Sequence, residues 1–167
     1  MKRRSVVALL GQVGLTSLLL GGCGFKLRGA QTYTFQTLAI MPNPGGQLAI
    51  ELRRSFASSV RVLASNEPIS QAQVVLDILQ EQREKTVVGV NSSGQVREFQ
   101  LRIRVKFRIR TPQGKELVPD AEILQQRDIT FNESAVLAKE NEEVTLYRDM
   151  QTDIVQQLLR RLATVKL

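Results

Sequence analysis

Glu98-Phe99-Gln100-Leu101-Arg102-Ile103-Arg104-Val105-Lys106-Phe107-Arg108-Ile109-Arg110-Thr111 decides the fold class. Leu101, Ile103, Val105, Phe107 and Ile109 alternate with Arg102, Arg104, Lys106, Arg108 and Arg110. A period of two puts the five apolar side chains on one face of a strand and the five cations on the other. The pattern predicts a half-buried strand, and the hairpin signals on either side of it favour an antiparallel core.

The neighbours of this strand fit hairpins. Asn91-Ser92-Ser93-Gly94 before it and Pro112-Gln113-Gly114-Lys115 after it are turn signals. Upstream, Val74 to Thr86 reads as a strand that continues into the apolar Val87, Val88 and Val90. Downstream, Glu122 to Phe131 reads as another. Leu38 to Met41 is a short first strand, stopped by Pro42-Asn43-Pro44-Gly45-Gly46. Two segments have helical spacing instead. Leu48, Leu52, Phe56, Val60 and Leu63 predict a helix over 47–63. Met150, Ile154, Leu158 and Leu162 step by four within a helical stretch from Ser134 to the end. The order is strand, helix, three strands, helix. It predicts an α+β two-layer sandwich, with two amphipathic helices on a mostly antiparallel four-stranded sheet.

Composition excludes several chemistries. The chain has 167 residues, 43% hydrophobic, with one Cys and no His or Trp. Without His there is no imidazole-based triad and no His-ligated metal site. A single Cys allows neither an intramolecular disulfide nor a multi-Cys metal knuckle. No Gly-rich phosphate loop and no G-x-S-x-G nucleophile motif occurs, so neither cofactor nor metal is expected.

The N-terminus reads as an export signal. Lys2, Arg3 and Arg4 precede Val6 to Leu20, which carry no charge. Leu20-Gly21-Gly22-Cys23 then looks like a bacterial lipobox, in which the Cys thiol takes a thioether-linked lipid and becomes the mature N-terminus. Cleavage before Cys23 removes three cations, lowering the formal charge from +7 to about +4. The basic balance is therefore no argument for nucleic acid. Gly24 rather than Asp follows Cys23, which by resemblance to lipoprotein sorting implies the outer membrane. The predicted organisation is a signal peptide over 1–22, a lipidated tether over 23–37 and a single domain over 38–167.

The cationic face allows two readings. Five cations on one face form a stripe roughly 27 Å long with about 6.8 Å between neighbours. Adjacent strands supply acids if the face is simply salt-bridged and solvated, with Asp77, Glu81, Glu84, Glu122 and Asp128 as candidates. Otherwise Arg102, Arg104, Lys106, Arg108 and Arg110 face an anionic partner. Lys139, just before Glu140, Glu142 and Glu143, reads from spacing alone as a locally paired surface lysine.

Three segments carry a resemblance. Cys23-Gly24-Phe25-Lys26-Leu27-Arg28-Gly29, then Gly94-Gln95 with Glu98-Phe99-Gln100-Leu101, then Leu137-Ala138-Lys139-Glu140-Asn141-Glu142 with Tyr147, Met150, Arg160 and Arg161 resemble, in order, the LptE family of lipopolysaccharide-assembly lipoproteins. The resemblance implies two helices on a four-stranded sheet. It also implies a non-enzymatic protein that plugs the LptD β-barrel, assists the barrel's assembly and binds lipopolysaccharide during insertion into the outer leaflet. It makes Cys23 the lipidated residue and Lys139 a lipopolysaccharide-binding candidate. Where relatives carry an Arg near the hairpin tip, this chain has Asn91, Ser92 and Ser93, which leaves Arg97 as the nearby candidate. The rival reading, of a different class, is a lipoprotein carrier that holds acyl chains in an apolar cavity.

Overall fold

The computed structural model describes residues 31–42, 45–56 and 59–167. The predicted signal peptide, Cys23 and the Cys23–Gly29 segment lie outside them. The elements are β1 (Thr37–Met41), α1 (Gln47–Phe56), β2 (Arg61–Val62), β3 (Val74–Val90), β4 (Val96–Arg110), β5 (Glu116–Thr130) and α2 (Val136–Ala163). A 3-10 turn, Glu133–Ala135, leads into α2.

The sheet has five strands rather than four, in the order β2-β1-β3-β4-β5. β3, β4 and β5 pair antiparallel, while β1 runs parallel to both β2 and β3. The added strand corrects the helix predicted over 47–63. That helix ends at Phe56, whose carbonyl accepts from the Ser59 hydroxyl at 2.7 Å and the Ser59 N–H at 3.0 Å. The chain then turns extended. Arg61 N–H donates to Gln36 O at 2.8 Å and Leu63 N–H to Leu38 O at 2.9 Å. Val60 and Leu63 are buried as their spacing suggested. Their β-branched and apolar neighbours satisfy a short strand as well as a helix, and the open β1 edge decides between them.

The alternation in β4 is realised. Leu101, Ile103, Val105, Phe107 and Ile109 are all buried, between strands on both sides and under the helices. Met150, Ile154, Leu158 and Leu162 of α2, with Leu48, Leu52 and Phe56 of α1, close the same core. Phe35 is buried in it too, with the Tyr33 ring tilted against Phe35 at 5.4 Å and against Phe56 at 5.3 Å between centroids. A smaller cluster of Ala39, Leu63, Ala72 and Val75 fills the opposite face near β1.

β5 begins six residues earlier than the sequence predicts. Val118-Pro119-Asp120 looks like a break, since Pro cannot donate to a ladder. In an edge strand Pro is tolerated at an irregularity, and here the register shifts between Phe107↔Ala121 and Ile109↔Val118. Both hairpin loops have one design. Asn91 N–H donates to Gln95 O and Thr111 N–H to Lys115 O, with Gly94 at φ 76° and Gly114 at φ 96°. The glycines supply the positive φ that these loops require.

Candidate functional site

The five cations of β4 emerge on the face away from the helices. Neighbouring strands supply acids to some of them. Asp77 of β3, only 8% exposed, holds two arginines. Arg110 forks onto both of its oxygens, Nε to Oδ2 at 2.7 Å and Nη2 to Oδ1 at 3.2 Å. Arg108 reaches Oδ2 through Nε and Nη2, both at 3.3 Å. The hydrogen bonds to Asp77 raise the Arg110 pKa above its ordinary value against opposing desolvation. Arg104 pairs with Glu122 at 3.0 Å, and Arg102 donates to the Gln100 amide oxygen at 2.7 Å. Lys106 is the exposed member, in a shallow cleft with Leu79, Asp120 and Glu122.

Three of the five expected acids do not form these pairs. Asp128 accepts from Gln100, Glu81 lies against Gly46 at the entry to α1, and Glu84 stands opposite Arg102 in the ladder without an ion pair among the described residues. Gln80, Gln82 and Gln126 stand opposite Lys106, Arg104 and Arg102, and the exposed Leu124 stands opposite Arg104 on its β5 side. The result is a polar face, charged but largely compensated. Asp77→Ala leaves two guanidinium groups without their carboxylate in a partly buried place. It is expected to cost about 2 kcal/mol of stability, measured by urea denaturation, against less than about 1 kcal/mol for Arg104→Gln. Equal costs would contradict the central place of Asp77.

The second polar site lies on the helix side, at the far end of the β3–β4 hairpin. Here β3 replaces apolar core positions with Arg83 and Lys85, opposite Ile103 and Leu101. α2 answers them. Arg83 donates to Gln151 and stacks 5.6 Å from the Tyr147 ring, and Tyr147 Oη donates to Glu84 O at 2.7 Å. Burial first, then the Glu143 carboxylate, push the Tyr147 phenol above its usual pKa, with Arg83 partly opposing.

Beyond Tyr147 a cleft of about 220 Å³ opens between the sheet and the start of α2, lined by Phe99, Phe131 and Val136, by Lys85 and Lys139, and by the acids Glu140 and Glu143. Lys139 Nζ donates to Thr130 Oγ1 at 3.0 Å and Glu142 Oε2 at 2.8 Å. Lys85 Nζ sits 4.3 Å from the Phe99 ring centroid, and Phe99 meets Phe131 edge to face at 5.3 Å. Lys139 is thus locally paired, as its spacing suggested, but it also shares a cleft with a second lysine. Arg97 is exposed, donates to Gln95 at 3.2 Å and does not line this cleft. Sequence reasoning missed Lys85. Its one signal was a cation at an inward position of a strand with apolar partners opposite.

Among the described residues no group of three or more His, Cys, Asp or Glu stands together as a metal site, and no helix is long and apolar enough to cross a membrane. A mixed sheet under two helices, with its polar chemistry on an open strand face and in a cleft that holds two lysines and two glutamates, defines a small α+β domain. Residues 35–162 match the family model described as LptE, lipopolysaccharide-assembly, and the chain belongs to that family. It is 28% identical over 168 residues to the LPS-assembly lipoprotein LptE of Yersinia enterocolitica, covering 99% of this chain and 78% of the relative. It is 27% identical to the protein of that name from Pectobacterium atrosepticum, covering 92% and 83%. Among solved structures, an uncharacterized lipoprotein B from Nitrosomonas europaea superposes with TM-score 0.72 and 34% identity, covering 84% of this chain and 90% of that one. Rare lipoprotein B from Shewanella oneidensis shares the fold, with TM-score 0.64 and 21% identity, over 77% and 95%.

Proposed function

We propose that this chain is a non-enzymatic outer-membrane lipoprotein that plugs an LptD-type β-barrel, assists its assembly and binds lipopolysaccharide during insertion into the outer leaflet. Family membership and relatives named for lipopolysaccharide assembly support this reading. The observation that carries it is the cleft holding Lys139, where a fixed ammonium group lies beside aromatic and apolar walls. Phosphorylated lipid headgroups need a cation, and their acyl chains need apolar surface. Arg97, exposed near the hairpin tip, is a second contact candidate.

Signal segment 1–22 is removed, and acyl chains on Cys23 anchor the tether over 23–37 to the periplasmic side of the outer membrane. The domain over 38–167 stands in the barrel lumen. Barrel interiors are polar, so a compensated face of Arg102, Arg104, Lys106, Arg108 and Arg110 with glutamine neighbours suits such a wall. The carrier alternative needs an apolar hollow between sheet and helices. At that interface Ile103, Phe107, Met150 and Leu158 are buried against one another in a single core.

Lys139→Glu replaces the cation with an anion where the headgroup would sit. Lipopolysaccharide binding by the full-length protein is expected to weaken roughly ten- to a hundredfold. The unfolding temperature should barely move, because the pair with Glu142 is a surface pair. An unaltered binding curve would remove Lys139 from the site.

A further inference from the structure

Both lysines of the cleft already hold a carboxylate, and both carboxylates come from one turn of α2; Glu140, exposed on the preceding part of that helix, lines the cleft as a third acid. Lys139 Nζ is 2.8 Å from Glu142 Oε2, and Lys85 Nζ is 2.6 Å from Glu143 Oε2. The Glu142 side chain is 48% exposed and can swing into water; that of Glu143 is 22% exposed. Apolar side chains stay exposed close by. Val136 lines the cleft, Leu137 follows it, and Val87 stands opposite Phe99 in the ladder, with Val88 and Val90 beyond. Two cations flank an aromatic pair, and a rim of exposed Val and Leu adjoins them. This matches an amphiphile with a phosphate head.

We propose that Lys85 and Lys139 together bind the phosphate of a phosphorylated amphiphile, and that Glu142 and Glu143 are internal counter-ions which that phosphate displaces. The proposal rests on the lipopolysaccharide reading for Lys139 and goes beyond it, since Lys85 and the two acids set how tightly the cleft closes on its ligand. The energetics favour such an exchange. Both pairs are partly exposed, so releasing the more exposed Glu142 costs little and releasing Glu143 costs somewhat more. A phosphate monoester carries about −1.5 to −2 charges and several strong acceptor oxygens. It can serve two ammonium groups at once, where each carboxylate serves one. A carboxylate left beside a bound phosphate repels it. The acids therefore hold the lysines in place in the empty cleft and weaken binding in the filled one.

The test uses the full-length protein in neutral maltoside micelles, titrated calorimetrically with dodecyl phosphate, inorganic phosphate and lipopolysaccharide. Glu142→Gln and Glu143→Gln are each expected to tighten dodecyl phosphate and lipopolysaccharide binding about two- to fivefold, the effect of removing one partly exposed competing pair. Lys85→Gln is expected to weaken both roughly tenfold and to erase the gain from Glu143→Gln when combined with it. Inorganic phosphate should bind far more weakly than dodecyl phosphate, because it lacks the chain that covers the rim. Unchanged or weaker binding in both Glu→Gln variants, at unaltered unfolding temperature, would overturn the counter-ion role. Equal affinity for inorganic and dodecyl phosphate would overturn the amphiphile. Wild-type protein that binds no lipopolysaccharide would instead sink the underlying reading of Lys139.

Discussion

Phe107→Ala is expected to cost roughly 3–5 kcal/mol and to lower the unfolding midpoint by roughly 10 °C or more. Phe107 is fully buried in the middle strand, with Ile78 beside it on β3 and Ala121 on β5. The Arg161 guanidinium of α2 lies 5.2 Å from its ring centroid, so truncation also removes a contact between helix and sheet. A domain of this size has about 5–15 kcal/mol in total, so one substitution takes a large share. The neighbouring Lys106 is exposed, and Lys106→Ala should change stability by less than about 0.5 kcal/mol. Urea denaturation followed by circular dichroism measures both. Comparable costs at 106 and 107 would contradict the assignment of the two faces of β4.

Cys23→Ala is expected to abolish lipid attachment altogether. A thioether needs the thiol, and the chain has no other Cys. In a Gram-negative host fed labelled palmitate, the wild-type chain should take up label and fractionate with the outer membrane. The variant should take up none, keep its signal segment and be absent from that fraction. No helix among the described residues can replace the anchor by crossing a bilayer. Label retained by the variant would mean that Cys23 is not the acylated residue.

The parts of the fold legible in the sequence are those where a single face is buried along a long element. β4 shows a period of two because one side meets the core and the other does not. The second half of α2 shows steps of four for the same reason. β2 was hidden because two residues have no period, and Val60 and Leu63 continued the stripe of α1. The start of β5 was hidden by Pro119, which reads as a break until an edge and a register shift accommodate it. Counter-ions depend on register, which sequence leaves open. Asp77 was one of five acids that could have met the stripe, and the ladder pairing Asp77 with Arg108 selects it. The cleft depends on still longer connections. Lys85 and Glu143 lie 58 positions apart, and only the seat of α2 on β3 and β4 joins them. Lys139 could be named from the family resemblance, whereas Lys85 had no local pattern to mark it.

The proposed working place of this chain is the inside of a β-barrel. Expression of the tagged full-length precursor in a Gram-negative host, extraction of outer membranes in mild detergent and mass spectrometry of the purified complex test it directly. A large β-barrel protein recovered in a one-to-one ratio is the expected result. A lone lipoprotein carrying bound lipid, with no barrel at any salt concentration, would contradict it.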